Sequence, residues 1–174
     1  LWTFDAKTEI ESTAAVVEGK VVVGTADAGL LCLDLSPGGK AGKELWRFKV
    51  ESGIRSSPLV AGGKAFFGDD EGVFHAVDMK TGAESWKFVT EGGQEIISSA
   101  NFSEGSILFG SYDSWLYSLA ADTGQLRWKH ETQGPLHSSP AVEDGRTFVA
   151  GCDHQLRTVE IVTGKEVGAL EMGD

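Results

Sequence analysis

Apolar and polar residues alternate along this chain in short bursts, and each burst gives way to a glycine-rich break. Val73, His75 and Val77 alternate with Phe74, Ala76 and Asp78, the two-residue period of a strand. Three more apolar runs surround that burst: Ser57 to Val60, Lys64 to Gly68 and Ser85 to Val89. Ala61-Gly62-Gly63, Asp69 to Gly72 and Lys80-Thr81-Gly82 separate them. Glycine supplies positive φ in such breaks without steric cost. No segment sustains a 3.6-residue period, so the pattern predicts short strands throughout and few helices.

This four-run unit recurs. Trp2, Trp46, Trp86 and Trp128 stand 44, 40 and 42 residues apart. They sit in the similar strings Leu1-Trp2-Thr3-Phe4, Leu45-Trp46-Arg47-Phe48, Ser85-Trp86-Lys87-Phe88 and Arg127-Trp128-Lys129-His130. Each is followed by a second marker: Ser12-Thr13-Ala14, Ser56-Ser57-Pro58, Ser98-Ser99-Ala100 or Ser138-Ser139-Pro140. Gly24, Gly68, Gly110 and Gly151 end an apolar run in each copy. Gly82, Gly124 and Gly164 mark a later turn, a place taken by Gly39 or Gly42 in the longer first copy. Four markers keeping one phase through four copies are not a coincidence.

Four strands in a period of about 42 residues are the signature of a propeller blade. A lone blade cannot bury both faces, whereas neighbours stacked around an axis can. The expectation is therefore all-β: a β-propeller of four four-stranded blades, with residues 1–174 forming a single segment. Blades are expected at 11–49, 54–89, 96–131 and 137–172, with an extra outer strand over 1–5. The tryptophans would wedge between adjacent blades, because their large apolar area suits that place.

Longer stretches carry a family resemblance. Gly68 to Phe88 reads GDDEGVFHAVDMKTGAESWKF, Gly110 to Trp128 reads GSYDSWLYSLAADTGQLRW, and Gly24 to Asp34 reads GTADAGLLCLD. The last copy keeps Thr163-Gly164-Lys165 but has Val167-Gly168-Ala169 where the tryptophan belongs. These strings resemble the blade motif of the pyrroloquinoline-quinone-like, quinoprotein-type repeats. The resemblance implies a ring of seven or eight blades, of which this chain is half. The ring would be completed by further sequence or by a second copy in a homodimer; the alternative is a closed four-bladed ring in which the extra strand replaces the weak last one. The resemblance further implies a periplasmic or extracellular location. It spans quinone-dependent dehydrogenases and non-catalytic propellers, the latter including a lipoprotein of the outer-membrane β-barrel assembly machinery and sensor domains.

Charge and chemistry narrow the function classes. Acids outnumber bases 26 to 15, for a formal net charge of −11. The bases are scattered, and phosphate backbones are bound through clustered Lys and Arg, so nucleic acid is excluded as a partner. No apolar run is long enough to span a membrane as a helix. The chain begins at Leu1 without an initiator Met or signal peptide, which reads as a processed or excised piece. Cys32 and Cys152 lack metal or redox spacing and read as two buried thiols, their pairing left open. Asp69-Asp70-Glu71, the densest acidic run, reads as a hairpin tip. His75, His130, His137 and His154 show no ligand spacing. Gly92-Gly93 reads as a plain loop, and the glycosylation sequon Asn101-Phe102-Ser103 falls where a strand is expected. A quinoprotein dehydrogenase, as the resemblance describes it, uses calcium ligands such as Glu and Asn and often an adjacent cysteine pair. This chain has no adjacent cysteines, and its one asparagine is Asn101.

No catalytic, cofactor-binding or metal-binding residue is therefore assigned, and no cofactor is expected; pyrroloquinoline quinone with calcium belongs to the dehydrogenase alternative. The recurrent residues read as structural, which leaves the loops to carry recognition. Arg55, Asp113 and His137 flank strand ends and are the candidate contacts to a protein partner. The expected function is a non-catalytic extracytoplasmic binding scaffold that presents loops or blade edges. The alternatives are part of a quinone-dependent dehydrogenase and a sensor domain of a membrane-anchored protein.

Overall fold

The computed structural model describes residues 2–35 and 42–173. Gly39, one of the two turn glycines considered for the first copy, lies outside the described residues, whereas Gly42 lies within them. The first blade comprises β1 (Ala15–Val17), β2 (Lys20–Gly24), β3 (Leu30–Asp34) and β4 (Glu44–Phe48). The second comprises β5 (Leu59–Ala61), β6 (Lys64–Gly68), β7 (Val73–Asp78) and β8 (Glu84–Val89). The third comprises β9 (Asn101–Ser103), β10 (Ser106–Gly110), β11 (Trp115–Ala120) and β12 (Leu126–Glu131). The fourth comprises β13 (Ala141–Glu143), β14 (Arg146–Ala150), β15 (Gln155–Glu160) and β16 (Glu166–Glu171). Each blade is an antiparallel meander with its strands in chain order.

Turn chemistry sets the local geometry. The first hairpin of each blade turns on Glu18-Gly19, Gly62-Gly63, Glu104-Gly105 or Asp144-Gly145, and both residues of every pair have positive φ. That is the turn whose twist matches a tight two-residue hairpin. The third and fourth strands pair with one register shift in every blade. Such a shift increases local twist and bends the outer strand.

The core lies between blades. Val22, Leu30 and Cys32 of the first blade pack with Phe67 and Val77 of the second. Phe66 and Phe74 of the second pack with Phe109 and Tyr117 of the third, and Phe74 stacks on Phe109 at 4.1 Å between ring centroids. Leu116 meets Leu136, Val149 and Val159 at the last junction. A fully buried ring of this kind stabilises by about 1.5–3 kcal/mol.

The tryptophans close the junctions from outside. A Cβ at Gly82 would lie 2.8 Å from the Trp46 ring; Trp86 crowds Gly124 and Trp128 crowds Gly164 in the same way. Only glycine leaves room for the indole there, and its φ near +72° suits the turn as well. Each indole N–H then donates across the junction: Trp46 to the Met79 carbonyl at 3.2 Å, Trp86 to Ala121 at 3.0 Å and Trp128 to Ile161 at 2.7 Å.

The paired hydroxyls divide their labour. The first of each pair accepts from the second strand of its own blade, although Ser98 Oγ donates instead to the Ser138 carbonyl of the next blade. Ser56 Oγ donates to the Gly68 carbonyl at 2.8 Å and accepts from the Gly68 N–H at 2.9 Å, and Ser12 does the same with Gly24. The second joins neighbouring blades: Thr13 N–H donates to Ser57 Oγ, Ser57 N–H to Ser99 Oγ, and Ser99 N–H to Ser139 Oγ.

Four expectations are corrected. Residues 2–5 form no strand, although Leu1 lies outside the described residues. Among the described residues, no strand pairs with them. They nevertheless occupy an outer-strand place: Trp2 covers Gly42 as Trp46 covers Gly82, and Phe4 packs with Ala6 on Val23 and Leu31. Second, the run expected from Ser57 starts as a strand only at Leu59, because Ser57 bonds to the next blade instead. Third, the repeat position of Gly24, Gly68 and Gly110 belongs in the last blade to Ala150, not Gly151. Ser138 bonds both the Ala150 carbonyl and its N–H, and Ala150 pairs with Leu156 as Gly110 does with Leu116. A Cβ at Gly110 would lie 2.6 Å from Leu136 Cβ, and the next blade crowds Gly24 and Gly68 more closely still. No such residue follows onto Ala150 among the described residues. Fourth, of the two cysteines only Cys32 is buried, and burial pushes its thiol up to about 11. Cys152 is exposed because it sits on a loop between strands, and the two thiols are unpaired.

Candidate functional site

Two sets of loops meet at one end of the segment: the lead-ins before each blade's first strand, and the loops between second and third strands. Backbone hydrogen bonds interlace them. Asp70 N–H donates to the Gly53 carbonyl, Tyr112 to Glu95 and Cys152 to Pro135, at 3.0, 3.0 and 3.1 Å. From the other side, Ile54 N–H donates to Thr25, Ile96 to Asp69 and Leu136 to Ser111, each at 3.0 Å. Each later lead-in is thus held by its own blade and by the one before. The result is a rigid loop face.

Arg55 lies on this face. Its Nε is 2.8 Å from Asp70 Oδ1 and its Nη2 is 2.8 Å from Glu95 Oε2, so it links the second-blade loop to the third-blade lead-in. Burial pulls its pKa down, but the bonds to the two carboxylates more than offset that and raise it. The guanidinium remains 29% exposed, enough to meet a partner.

The other two candidates diverge. His137 is exposed on the last lead-in, its ring 6.3 Å from that of Tyr112. Asp113 is occupied within its own blade. Its Oδ2 accepts from the Tyr117 hydroxyl at 2.6 Å and from Gly92 N–H at 3.3 Å, and its Oδ1 from Trp115 N–H at 3.2 Å. Burial, and then this bond to Asp113, push the Tyr117 phenol well up.

Sequence reasoning missed a set of polar groups under the loops. Leu31, His75, Tyr117 and Arg157 hold equivalent places on the third strands, and the three polar ones each meet a loop carboxylate. His75 Nε2 is 3.2 Å from Asp69 Oδ2, and its Nδ1 is 3.0 Å from Glu84 Oε1. The imidazole stacks on Phe67 and meets the edge of Phe48. Asp69 Oδ1 accepts from Glu71 N–H at 3.0 Å and Val73 N–H at 2.8 Å. Burial pushes the Asp69 carboxyl up, but the His75 bond and these two amides hold it below the ordinary value. Arg157 pairs with Asp153 at 2.6 Å, and Glu166 receives both Arg157 and His130. Burial likewise opposes ionisation of Asp153, yet the Gln133 amide and Arg157 hold its carboxyl low. The available signal was a polar residue at an inward strand position.

The remaining candidates carry structural roles. Asn101 Nδ2 donates to the Pro140 carbonyl at 3.1 Å, so the sequon amide is engaged inside a strand. His154 sits at φ 59° in the loop place that Gly72 fills in the second blade. Among the described residues, no group of three His, Cys, Asp or Glu is placed to hold a metal ion, and no helix is long and apolar enough to cross a membrane.

Known proteins share this architecture. A family model described as outer membrane protein assembly factor BamB matches residues 1–103 and 95–167. The BamB of Burkholderia pseudomallei is 26% identical over 126 residues, covering 71% of this chain and 32% of the relative. The BamB of Legionella pneumophila is 25% identical over 173 residues, covering 92% and 43%. A 1-butanol dehydrogenase (cytochrome c) of Thauera butanivorans is 26% identical over 99 residues, covering 51% and 14%. The solved BamB of Moraxella catarrhalis superposes with a TM-score of 0.83 at 20% identity, covering 98% of this chain and 55% of that one. The chain thus spans less than half the length of these curated relatives.

Proposed function

This chain belongs to the PQQ-like repeat family of the outer membrane protein assembly factor BamB, and from that membership we propose that it is a non-catalytic binding scaffold whose loop face receives a protein partner. The observation that carries this reading is Arg55. A partly exposed guanidinium fixed between Asp70 and Glu95 is pre-organised, so a partner carboxylate or carbonyl meets it with little ordering cost. His137 and Tyr112 offer an adaptable, partly aromatic patch on the same face. Asp113 works indirectly by holding its loop. The family points to a component of outer-membrane protein assembly as the partner and to the periplasm as the location.

The dehydrogenase relative raises the question of a quinone site. The residues present do not fit one. Cys32 and Cys152 lie on separate blades, one buried and one exposed, and the amide of Asn101 is spent on Pro140.

The test is binding to purified outer-membrane β-barrel assembly machinery reconstituted without its own BamB, followed by interferometry. Charge reversal at a desolvated ionic contact costs several kcal/mol, so Arg55→Glu is expected to weaken association at least about tenfold. Unchanged binding by Arg55→Glu, or none by the wild type, would overturn the reading.

A further inference from the structure

The loop bearing Asp70 is held from beneath by one side chain. Both ring nitrogens of His75 face carboxylate oxygens, Asp69 Oδ2 at 3.2 Å and Glu84 Oε1 at 3.0 Å. A carboxylate only accepts hydrogen bonds, so satisfying both contacts requires a proton on each ring nitrogen. A neutral imidazole has one donor and one lone pair, and would turn that lone pair toward one of the carboxylates. The His75 and Asp69 side chains are only 7% and 5% exposed, so water does little to soften that encounter.

The other blades supply an internal comparison. Tyr117 and Arg157 hold the same place; Tyr117 donates to its loop carboxylate and Arg157 forms an ion pair with its own, and both groups keep their protons across the physiological pH range. Leu31 has no polar group, and its loop is capped locally by Thr25 Oγ, which donates to Gly29 and accepts from Ala28. The second blade alone among the polar three uses a group whose number of donors changes with protonation.

We infer that His75 is a proton-dependent pin: it positions Asp69, which holds the loop 69–72, whose Asp70 sets Arg55. Its importance for recognition rests on the scaffold reading above; the pin itself does not. The charged groups facing His75 are Asp69 and Glu84 in contact, with Glu51, Glu71, Lys49 and Lys87 around the same depression. The carboxylates outnumber the lysines four to two in that set. Loss of one proton at higher pH removes one hydrogen bond beneath the loop and loosens Asp69, while the backbone bonds of Asp70 to Gly53 and of Ile96 to Asp69 remain. His75 is a positioning residue, because it acts on Arg55 only through Asp69 and Asp70.

The experiment is amide hydrogen exchange on the whole chain, corrected for intrinsic rates, from about pH 5 to about pH 9. The Glu71 and Val73 amides, which donate to Asp69, report the pin; the Trp115 amide, which donates to Asp113, is the reference. In the wild type, protection of Glu71 and Val73 is expected to fall at least about tenfold relative to Trp115 as pH rises, which is the loss of one charge-assisted bond. His75→Arg keeps its donors at every pH and should flatten the profile. His75→Leu, the residue of the first blade, should lower protection throughout. A merely structural His75 would give parallel profiles in the wild type and His75→Arg, and that outcome overturns the inference. Should His75→Leu fail to fold, the wild type against His75→Arg decides. Exchange is read without any partner, so a failed pin leaves the Arg55 binding test untouched.

Discussion

The junction between the second and third blades and the trailing side of the fourth blade are built from the same repeat and differ at two positions. At the inner junction Gly68 yields to the Ile96 side chain, and Trp86 lies over Gly124. On the fourth blade Ala150 stands in the place of Gly68, and Gly168 stands in the place of the tryptophan, opposite Thr158. The comparison separates what a blade needs to fold from what it needs to be followed by another. The hydroxyl that accepts from the second-strand amide, the hairpin turns and the outer register shift survive in all four blades. The glycine and the tryptophan matter where a neighbour presses.

Substitutions can break this contrast, beginning with the tryptophans. Trp86→Ala removes an indole wedged on Gly124 and its bond to Ala121, and should cost about 3–5 kcal/mol in denaturant unfolding. Trp2→Ala should cost markedly less, since Trp2 is 37% exposed and caps only one blade. Equal losses would show that the two tryptophans do the same work.

Next in size is the glycine position. Gly110→Ala places a Cβ 2.6 Å from Leu136 Cβ and should cost about 1–3 kcal/mol. A Cβ at Gly168 meets nothing nearer than Thr158 at 3.9 Å, so Gly168→Ala should instead stabilise by about 0.5–1 kcal/mol. A thermal shift of the same sign in both variants would defeat the distinction.

The paired serines give a smaller contrast. Ser56→Ala leaves the buried Gly68 N–H and carbonyl without their partner and should cost about 1–3 kcal/mol. Ser139 is exposed and joins two lead-ins, so Ser139→Ala should stay within about 1 kcal/mol. Urea midpoints of the two variants measure this directly.

The smallest effect concerns acid. The Asp69 carboxyl is held below its ordinary value, so its stabilising contribution is present above the unfolded-state value and is lost as pH falls through the lower folded value. Wild type should lose stability on that acid side, and Asp69→Asn should show a shallower limb there. A limb unchanged by Asp69→Asn would place the acid sensitivity elsewhere.

Much of the fold was legible before any coordinates. The spacing of Trp46, Trp86 and Trp128, the Thr-Gly turns and the alternation in Val73 to Asp78 located blades and strands, because propeller period and strand period are both one-dimensional. The slip from Ala150 to Gly151 came from matching a residue type where the equivalence lies in a hydrogen-bonded place. Of the three loop candidates, Arg55 and His137 reach the surface of the loop face. Asp113 is consumed by Tyr117 and Gly92, a partnership between a third-strand residue and a lead-in that no local pattern encodes. His75 was read as a lone histidine because its partners, Asp69 and Glu84, acquire meaning only when three strands lie side by side.

By itself the sequence determined the all-β class, the four-strand repeat and the family, since these follow from periodic positions and turn residues. Tertiary structure alone decided which serine stitches its own blade and which joins the next. It decided that residues 2–5 cover Gly42 without forming a strand, and that Arg55 is clamped between two loops. The physical reason is common to all three. Periodicity specifies which way a side chain points, but a hydrogen bond or a steric contact is a matter of distance between residues that lie from 12 to 44 positions apart, and only folding each blade and packing it on the next sets that distance.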